Sequence, residues 1–110
     1  MRKHIIVLAV ALMTSGPAFS QEPGSVMQGR ELAQTVCAEC HGVAPGAVRS
    51  PNAHAPTFET IVQTPGMTPM AVRVWLRSAH KEMPNIMLSQ DETDNVIAYL
   101  ASLKAGAAQR

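Results

Sequence analysis

Apolar residues recur at intervals of three and four near the start of this 110-residue chain, which is the spacing of one face of an α-helix. Ser25, directly before this pattern, and Gln28, three residues on, have the spacing of an N-terminal capping box. The sequence therefore predicts a first helix over 26–37. Its apolar positions are Val26, Gly29, Leu32, Ala33 and Val36.

A second helical pattern lies near the end of the chain. Ser89 and Glu92 repeat the spacing of a capping box, and apolar residues follow at helical intervals. Lys104 and Gly106 are residue types that favour a helix C-terminus. The apolar face of this predicted last helix consists of Val96, Ile97, Leu100 and Leu103.

Two shorter helices are predicted between these segments. Apolar residues from Phe58 onwards indicate one or two helical turns, which the Pro-Gly pair at 65–66 ends. Thr68 followed by Pro69 is typical of an N-cap and a first helical position, and it predicts a helix that continues to about Ser78.

The remaining segments, 42–57 and 79–88, are predicted to be loops. No stretch of useful length alternates between apolar and polar residues, so no strand is expected. The predicted fold is all-α, with four short helices. Loops of this length in a small domain usually have a function or enclose something.

The first twenty residues have the layout of a cleavable secretory signal peptide. MRKH is positively charged, residues 5–13 are apolar, and Ala18-Phe19-Ser20 predicts cleavage after Ser20. The apolar run is too short to span a bilayer, although an uncleaved anchor is the alternative. We therefore expect a signal peptide over 1–20, export to the periplasm, and one domain over 21–110 that does not insert into the membrane.

The predicted mature domain is small and nearly neutral. It keeps seven basic and eight acidic residues, for a net charge of −1, which argues against a nucleic-acid-binding surface. A domain of this size usually needs a disulfide, metal or cofactor for stability. A disulfide across two residues would close too small a loop to supply it.

The motif VCAECHG contains both cysteines of the chain, Cys37 and Cys40, followed directly by His41. Cys-x-x-Cys-His is the attachment signature of c-type haem. The two-residue gap lets both thiols reach the two vinyl groups on one side of the porphyrin. The histidine that follows then lies beneath the ring, where its imidazole can bind the iron.

Three other interpretations of the motif agree less well with the sequence. A thioredoxin-like dithiol requires a βαβ pattern, which the sequence lacks. A zinc site requires four ligands, and His54 and His80 are at no recognised ligand spacing. A structural disulfide would add little stability, for the reason given above. Haem attachment agrees best with the predicted export and with the all-α pattern.

The chain resembles the class I c-type cytochromes, from GRELAQTVCAECHG at one end to MPNIMLSQDETDNVIAYLASL at the other. The resemblance implies one covalently attached haem c with thioether bonds to Cys37 and Cys40. It also implies that the N- and C-terminal helices cross, with Gly29 packed closely against Tyr99.

The resemblance further implies that His41 and a loop methionine are the axial ligands of the haem iron. Met83 is the predicted methionine because Pro84 biases it towards an extended conformation and because the Met-Pro pair resembles the family's ligand motif. Met87 is the runner-up, and Met67 is a weaker candidate. Met27 and Met70 are expected to be packing or surface residues.

Two further predictions concern groups around the iron. A ligating imidazole usually donates its second N–H to an acceptor, and the resemblance implies a proline carbonyl in the loop after the motif. Pro56 is the predicted residue, with Pro45 and Pro51 as competitors. His54 and His80 are alternative ligands to the methionine, but loop histidines are usually solvated.

The predicted function is a periplasmic one-electron carrier between redox proteins, not an enzyme, with a monomer favoured. Ligation by His and Met leaves no open position at the iron and raises the reduction potential. The alternatives are a cytochrome subunit or dedicated electron acceptor of one dehydrogenase, and a haem protein that binds ligands at an open sixth site.

Overall fold

The computed structural model describes residues 23–110, so the predicted signal peptide lies outside the described residues. The helices, in chain order, are α1 (Val26–Leu32), α2 (Phe58–Gln63), α3 (Pro69–Arg77) and α4 (Gln90–Ala107). A π-helical turn, Ala33–Cys37, continues directly from α1. Residues 23–110 contain no strand, and the all-α fold class is confirmed. Within this part of the chain, no helix is both long and apolar enough to cross a bilayer.

The first and last helices cross at Gly29, as predicted. A Cβ atom added to Gly29 would lie 1.8 Å from the backbone oxygen of Asn95 and 2.9 Å from the Cβ of Tyr99. Both distances are far below van der Waals contact, so only glycine allows the α1 backbone to lie directly on α4. The predicted packing of Gly29 on Tyr99 is therefore seen in the structure.

Asn95 also links the two helices through polar contacts. Its Oδ1 accepts a hydrogen bond from the Ser25 backbone N–H at 2.7 Å, and its Nδ2 donates to Oε1 of Gln28 at 3.0 Å. The Ser25 hydroxyl caps α1 by accepting from the Gln28 backbone N–H at 3.3 Å. One bond of the predicted capping box, from the Gln28 N–H to the Ser25 hydroxyl, is therefore present. The other prediction is wrong, because the Ser25 N–H donates to Asn95 and not to the Gln28 side chain.

The core is built around α4, whose buried residues face the other three helices. They are Thr93, Val96, Ile97, Ala98, Tyr99, Leu100 and Leu103. Phe58 and Val62 of α2, Val72 of α3 and Ala33 of the π-helical turn complete the same apolar cluster. Arg73 forms an ion pair with Asp94 that also joins α3 to α4. One helix therefore fixes the positions of all the others.

The ends of the later helices largely follow the sequence signals. Ser89 and Glu92 form both bonds of a capping box, at 3.1 Å and 2.8 Å. Thr68 accepts from the backbone N–H of Ala71, with Pro69 as the first residue of α3. Lys104 and Gly106 lie at the C-terminal end of α4, as predicted. The helix continues to Ala107, and its last turn includes Gly106.

Glu59, in the first turn of α2, ties distant segments to this helix. Its carboxylate accepts a hydrogen bond from the Gly46 backbone N–H at 2.7 Å and forms an ion pair with Arg110. The bond from Gly46, assisted by Arg110, lowers the pKa of Glu59. The loop before α2 and the C-terminus are therefore joined through one ionised carboxylate.

The helix crossing gives the first prediction. Gly29→Ala should reduce the free energy of unfolding by about 3 kcal/mol, because a methyl group cannot be accommodated between two packed backbones. Gly106→Ala is the matched control, since the atom nearest to its added Cβ is 3.9 Å away. It should stabilise the protein by no more than about 1 kcal/mol, through helix propensity. Guanidinium unfolding of both variants measures the difference, and equal effects would contradict the close crossing.

Glu59 gives a prediction about pH. Because its pKa is lower in the folded state, its contribution to stability is present above the unfolded pKa and is lost as the pH falls through the folded value. Glu59→Gln should therefore lower the melting temperature at pH 7, and the difference from wild type should shrink in acid below pH 4.5. Glu31→Gln removes an exposed carboxylate on α1 as a control. A deficit of Glu59→Gln that stays constant with pH would rule out this linkage.

Candidate functional site

The π-helical turn places the Cys-x-x-Cys-His motif at the end of the first helix. The Ala38 backbone N–H donates to the Ala33 carbonyl at 2.9 Å, which closes the wide turn. The Cys37 carbonyl then accepts from the N–H groups of Cys40 at 3.2 Å and His41 at 2.9 Å. The three motif side chains therefore start from one compact turn. Single π-helical turns occur frequently at functional sites.

Cys37 and Cys40 are both free and partly buried. Cys37 packs against the apolar core, and burial raises the pKa of its thiol. At neutral pH this side chain is a neutral thiol, since burial in apolar surroundings disfavours the thiolate. Two neighbouring thiols on one turn are what the predicted thioether bonds require.

The His41 ring is held in place by the loop that precedes α2. Its Nδ1 lies 2.6 Å from the carbonyl oxygen of Pro56, and the ring packs at a tilt against Phe58, with the centroids 5.7 Å apart. A carbonyl can only accept a hydrogen bond, so Nδ1 carries the proton and Nε2 keeps its lone pair. This is the tautomer of a metal-ligating histidine whose second nitrogen is held by an acceptor.

Among the three prolines considered for this contact, Pro56 is the one whose carbonyl bonds to His41. Its role beside a bound haem stays a prediction. The sequence alone left Pro45 and Pro51 as alternatives because all three belong to one irregular loop.

The loop between the motif and α2 folds back onto the motif. The Asn52 backbone N–H donates to the Cys40 carbonyl at 3.1 Å, and the Phe58 N–H donates to the Gly42 carbonyl at 2.9 Å. The Gly42 N–H donates to the Ser50 hydroxyl at 2.9 Å. A Cβ on Gly42 would lie 2.5 Å from the Arg49 carbonyl oxygen, so the chain needs glycine here. These bonds hold the loop, and with it Pro56, against the motif.

Tyr99 connects the helix crossing to this site. Its hydroxyl is buried and donates to the carbonyl of Val43, two residues after His41, at 2.7 Å. Its ring lies 6.3 Å from that of Phe58, which in turn packs against His41. Burial raises the pKa of Tyr99, so the phenol remains a donor. Sequence analysis identified Tyr99 as a packing residue and missed this hydrogen bond.

The methionines differ in how far they are buried. Met83 and Met67 are partly buried, and Met67 packs against the apolar core. Met87 is 86% exposed, and Met27 and Met70 are also exposed. Met27 and Met70 were expected to be packing or surface residues, and the structure shows that they are surface residues. Met83 is thus the partly buried methionine of the loop 79–88.

The Met83 side chain has a close neighbour that sequence analysis did not connect with it. The Nε2 of His80 lies 2.6 Å from the sulfur of Met83. His80 is partly buried, and its ring packs nearly perpendicular to that of Trp75, with the centroids 5.0 Å apart. The three-residue spacing of His80 and Met83 was visible in the sequence, but a loop assignment gives no reason for them to meet.

Comparison with known proteins shows the family to which this chain belongs. A family model described as "Cytochrome C oxidase, cbb3-type, subunit III" matches residues 24–100. Cytochrome c-552 of Bradyrhizobium diazoefficiens is 35% identical over 105 residues, which are 94% of this chain and 95% of that protein. No solved structure matches the chain.

The molecule is therefore a small c-type cytochrome. The chain belongs to the cytochrome c family that the model and this relative represent. Its cofactor is covalently bound haem c with its iron, and its chemistry is haem-based electron transfer. The donor groups fit this cofactor, since two thiols share one turn with an imidazole whose Nε2 is free.

The tyrosine contact gives a prediction about stability. Tyr99→Phe should lower the free energy of unfolding by about 1–3 kcal/mol, because the Val43 carbonyl loses its buried donor. Urea unfolding measures the loss. Ser102→Ala serves as the control, because it removes a hydroxyl on the same helix that donates only to the Tyr99 carbonyl. A Tyr99→Phe protein as stable as the Ser102→Ala control would show that the hydrogen bond contributes little.

Proposed function

We propose that this protein is an exported one-electron carrier that holds haem c through Cys37 and Cys40 and ligates the iron with His41 and Met83. The observation that carries the proposal is the geometry of His41, whose Nδ1 is bonded to the Pro56 carbonyl while Nε2 stays free. A side chain so oriented can present the Nε2 lone pair to a metal, in the way that ligating histidines are held by a second contact.

Cys37 and Cys40 attach the cofactor in this proposal. Each S–H group adds across one vinyl C=C bond, so that sulfur bonds to one carbon and hydrogen to the other. The compact turn around the Cys37 carbonyl fixes the spacing of the two sulfur atoms. Covalent attachment suits a domain of this size, in which few side chains are available to enclose a large planar ligand.

Met83 is the proposed second axial ligand. It is partly buried, whereas Met87 is 86% exposed, and it precedes Pro84, which limits its backbone to extended conformations. Met87 remains the runner-up, since it belongs to the same loop. When bound, haem c with His and Met ligands exchanges single electrons at a raised potential.

A site whose axial positions are both filled by side chains has no place for a substrate, so we propose electron transfer without catalysis. The partners are redox proteins that donate and accept the electron. We expect a monomer that meets them transiently, through a small interface. The near-neutral domain over 21–110 offers no dominant charge for binding a nucleic acid.

We propose that residues 1–20 direct export to the periplasm and are removed after Ser20. The support is the sequence pattern of a charged start, a short apolar run and a small-residue cleavage site. Attachment of both thiols agrees with this location, because cysteines left free seldom persist in an oxidising environment.

A second candidate function is a cytochrome subunit of a larger redox enzyme. The observation that favours it is the description of the matching family model, which names a subunit of an oxidase. Size-exclusion chromatography of the protein from its native source distinguishes the two. A free carrier elutes at the size of one small domain, whereas a subunit elutes in a stable complex with other chains.

The ligand assignment gives a direct prediction. Met83→Ala should abolish the methionine–iron charge-transfer band of the ferric protein and lower the reduction potential, because the thioether ligand is lost. Met87→Ala is the matched control and should keep both properties of wild type. If the band survives in Met83→Ala and is lost in Met87→Ala, the ligand is Met87. If wild type lacks the band, His/Met ligation is excluded.

A further inference from the structure

His80 has the hydrogen bonding of a metal ligand, although the proposed function gives it no role. Its Nδ1 lies 2.9 Å from the backbone oxygen of Ser78. Since a carbonyl oxygen only accepts, Nδ1 carries a proton, and Nε2 is the ring nitrogen that remains for a metal. Nε2 lies 2.6 Å from the sulfur of Met83, so the two atoms are directed at the same point.

The same arrangement occurs at His41, whose Nδ1 is bonded to the carbonyl of Pro56 at 2.6 Å. In both residues a backbone carbonyl accepts from Nδ1, so that Nε2 is the nitrogen oriented away from the backbone contact. Ligating histidines are typically held in this way by a second contact. His80 is therefore oriented as a ligand, and the atom beside its Nε2 is the proposed ligand atom of Met83.

The backbone keeps the two side chains together. Residues 80–83 form a turn in which the Met83 N–H donates to the His80 carbonyl at 3.4 Å. Glu82 has a φ of 71°, a conformation that is uncommon for a residue other than glycine and that reverses the chain within this turn. The ring of Trp75 packs nearly perpendicular to the His80 ring. The side chains at the two ends of the turn are thereby directed towards one point.

We propose that His80 is the replacement axial ligand of this cytochrome. Its Nε2 binds the haem iron when the Met83 sulfur is absent or dissociated, and so keeps the sixth position closed to external ligands. The inference rests on the proposed function, in which Met83 is the resident ligand. Imidazole is a ligand well suited to iron, so the exchange needs no new chemistry. It also removes the methionine that raises the potential.

Spectra of two variants test the proposal. Ferric Met83→Ala should be low-spin without the methionine–iron band, and its electron paramagnetic resonance spectrum should be that of a bis-imidazole haem. Met83→Ala/His80→Ala should become high-spin. The ferrous double variant should also bind carbon monoxide about tenfold faster or more, because an external ligand binds only the fraction of molecules with an open sixth position.

Met83→Ala/His54→Ala is the matched control, since His54 is an exposed histidine of the other long loop. It should behave as Met83→Ala does. A high-spin Met83→Ala protein would overturn the proposal, and so would a double His80 variant that remains low-spin. An amine-type resonance spectrum of Met83→Ala would overturn it in favour of the neighbouring Lys81.

The outcomes separate this inference from the proposed function. Survival of the methionine–iron band in Met83→Ala contradicts Met83 as the resident ligand. Loss of the band with a high-spin spectrum leaves Met83 in place and overturns only the role of His80. If the double variant fails to fold, the resonance spectrum of Met83→Ala still decides between imidazole and any other ligand.

Discussion

The backbones of the first and last helices approach each other so closely at Gly29 and Asn95 that no side chain fits between them. The position of the haem-attachment motif and that of the chain just beyond it both depend on this contact. The π-helical turn that follows α1 carries the two cysteines and His41. From α4, the hydroxyl of Tyr99 reaches back to the Val43 carbonyl, just beyond the motif. The crossing therefore determines where the motif lies relative to the core, and Asn95 strengthens it with hydrogen bonds to both Ser25 and Gln28.

Several features that were predicted correctly depend on a few neighbouring residues, whereas the packing of Gly29 on Tyr99 was predicted from the family resemblance. Thr68 with Pro69, and Ser89 with Glu92, form their caps because each uses atoms within one helical turn. The apolar face of α4 is equally local, because its spacing alone defines it. The sequence pattern is sufficient to predict a helix cap or an apolar face wherever no distant group competes for the same contact.

Other features depend on contacts between distant segments or on local backbone conformations that residue spacing does not indicate. The capping-box spacing predicted that the Gln28 side chain accepts a hydrogen bond from the Ser25 backbone N–H. The acceptor is instead Asn95, seventy residues away. The π-helical turn has no sequence signature of its own. The choice of Pro56 among three loop prolines followed from the family resemblance, and the approach of His80 to Met83 depends on the backbone of the turn between them. These contacts follow from the fold as a whole.

The central claim is that the Met83 sulfur is the second ligand of the haem iron. Five methionines follow residue 20, and labelling their methyl groups with carbon-13 lets each be observed in the ferrous protein. The account predicts one methyl resonance that is shifted strongly upfield by the porphyrin ring current, and its loss in Met83→Ala identifies it. A shifted resonance that persists in Met83→Ala, or five unshifted resonances in wild type, would contradict the account.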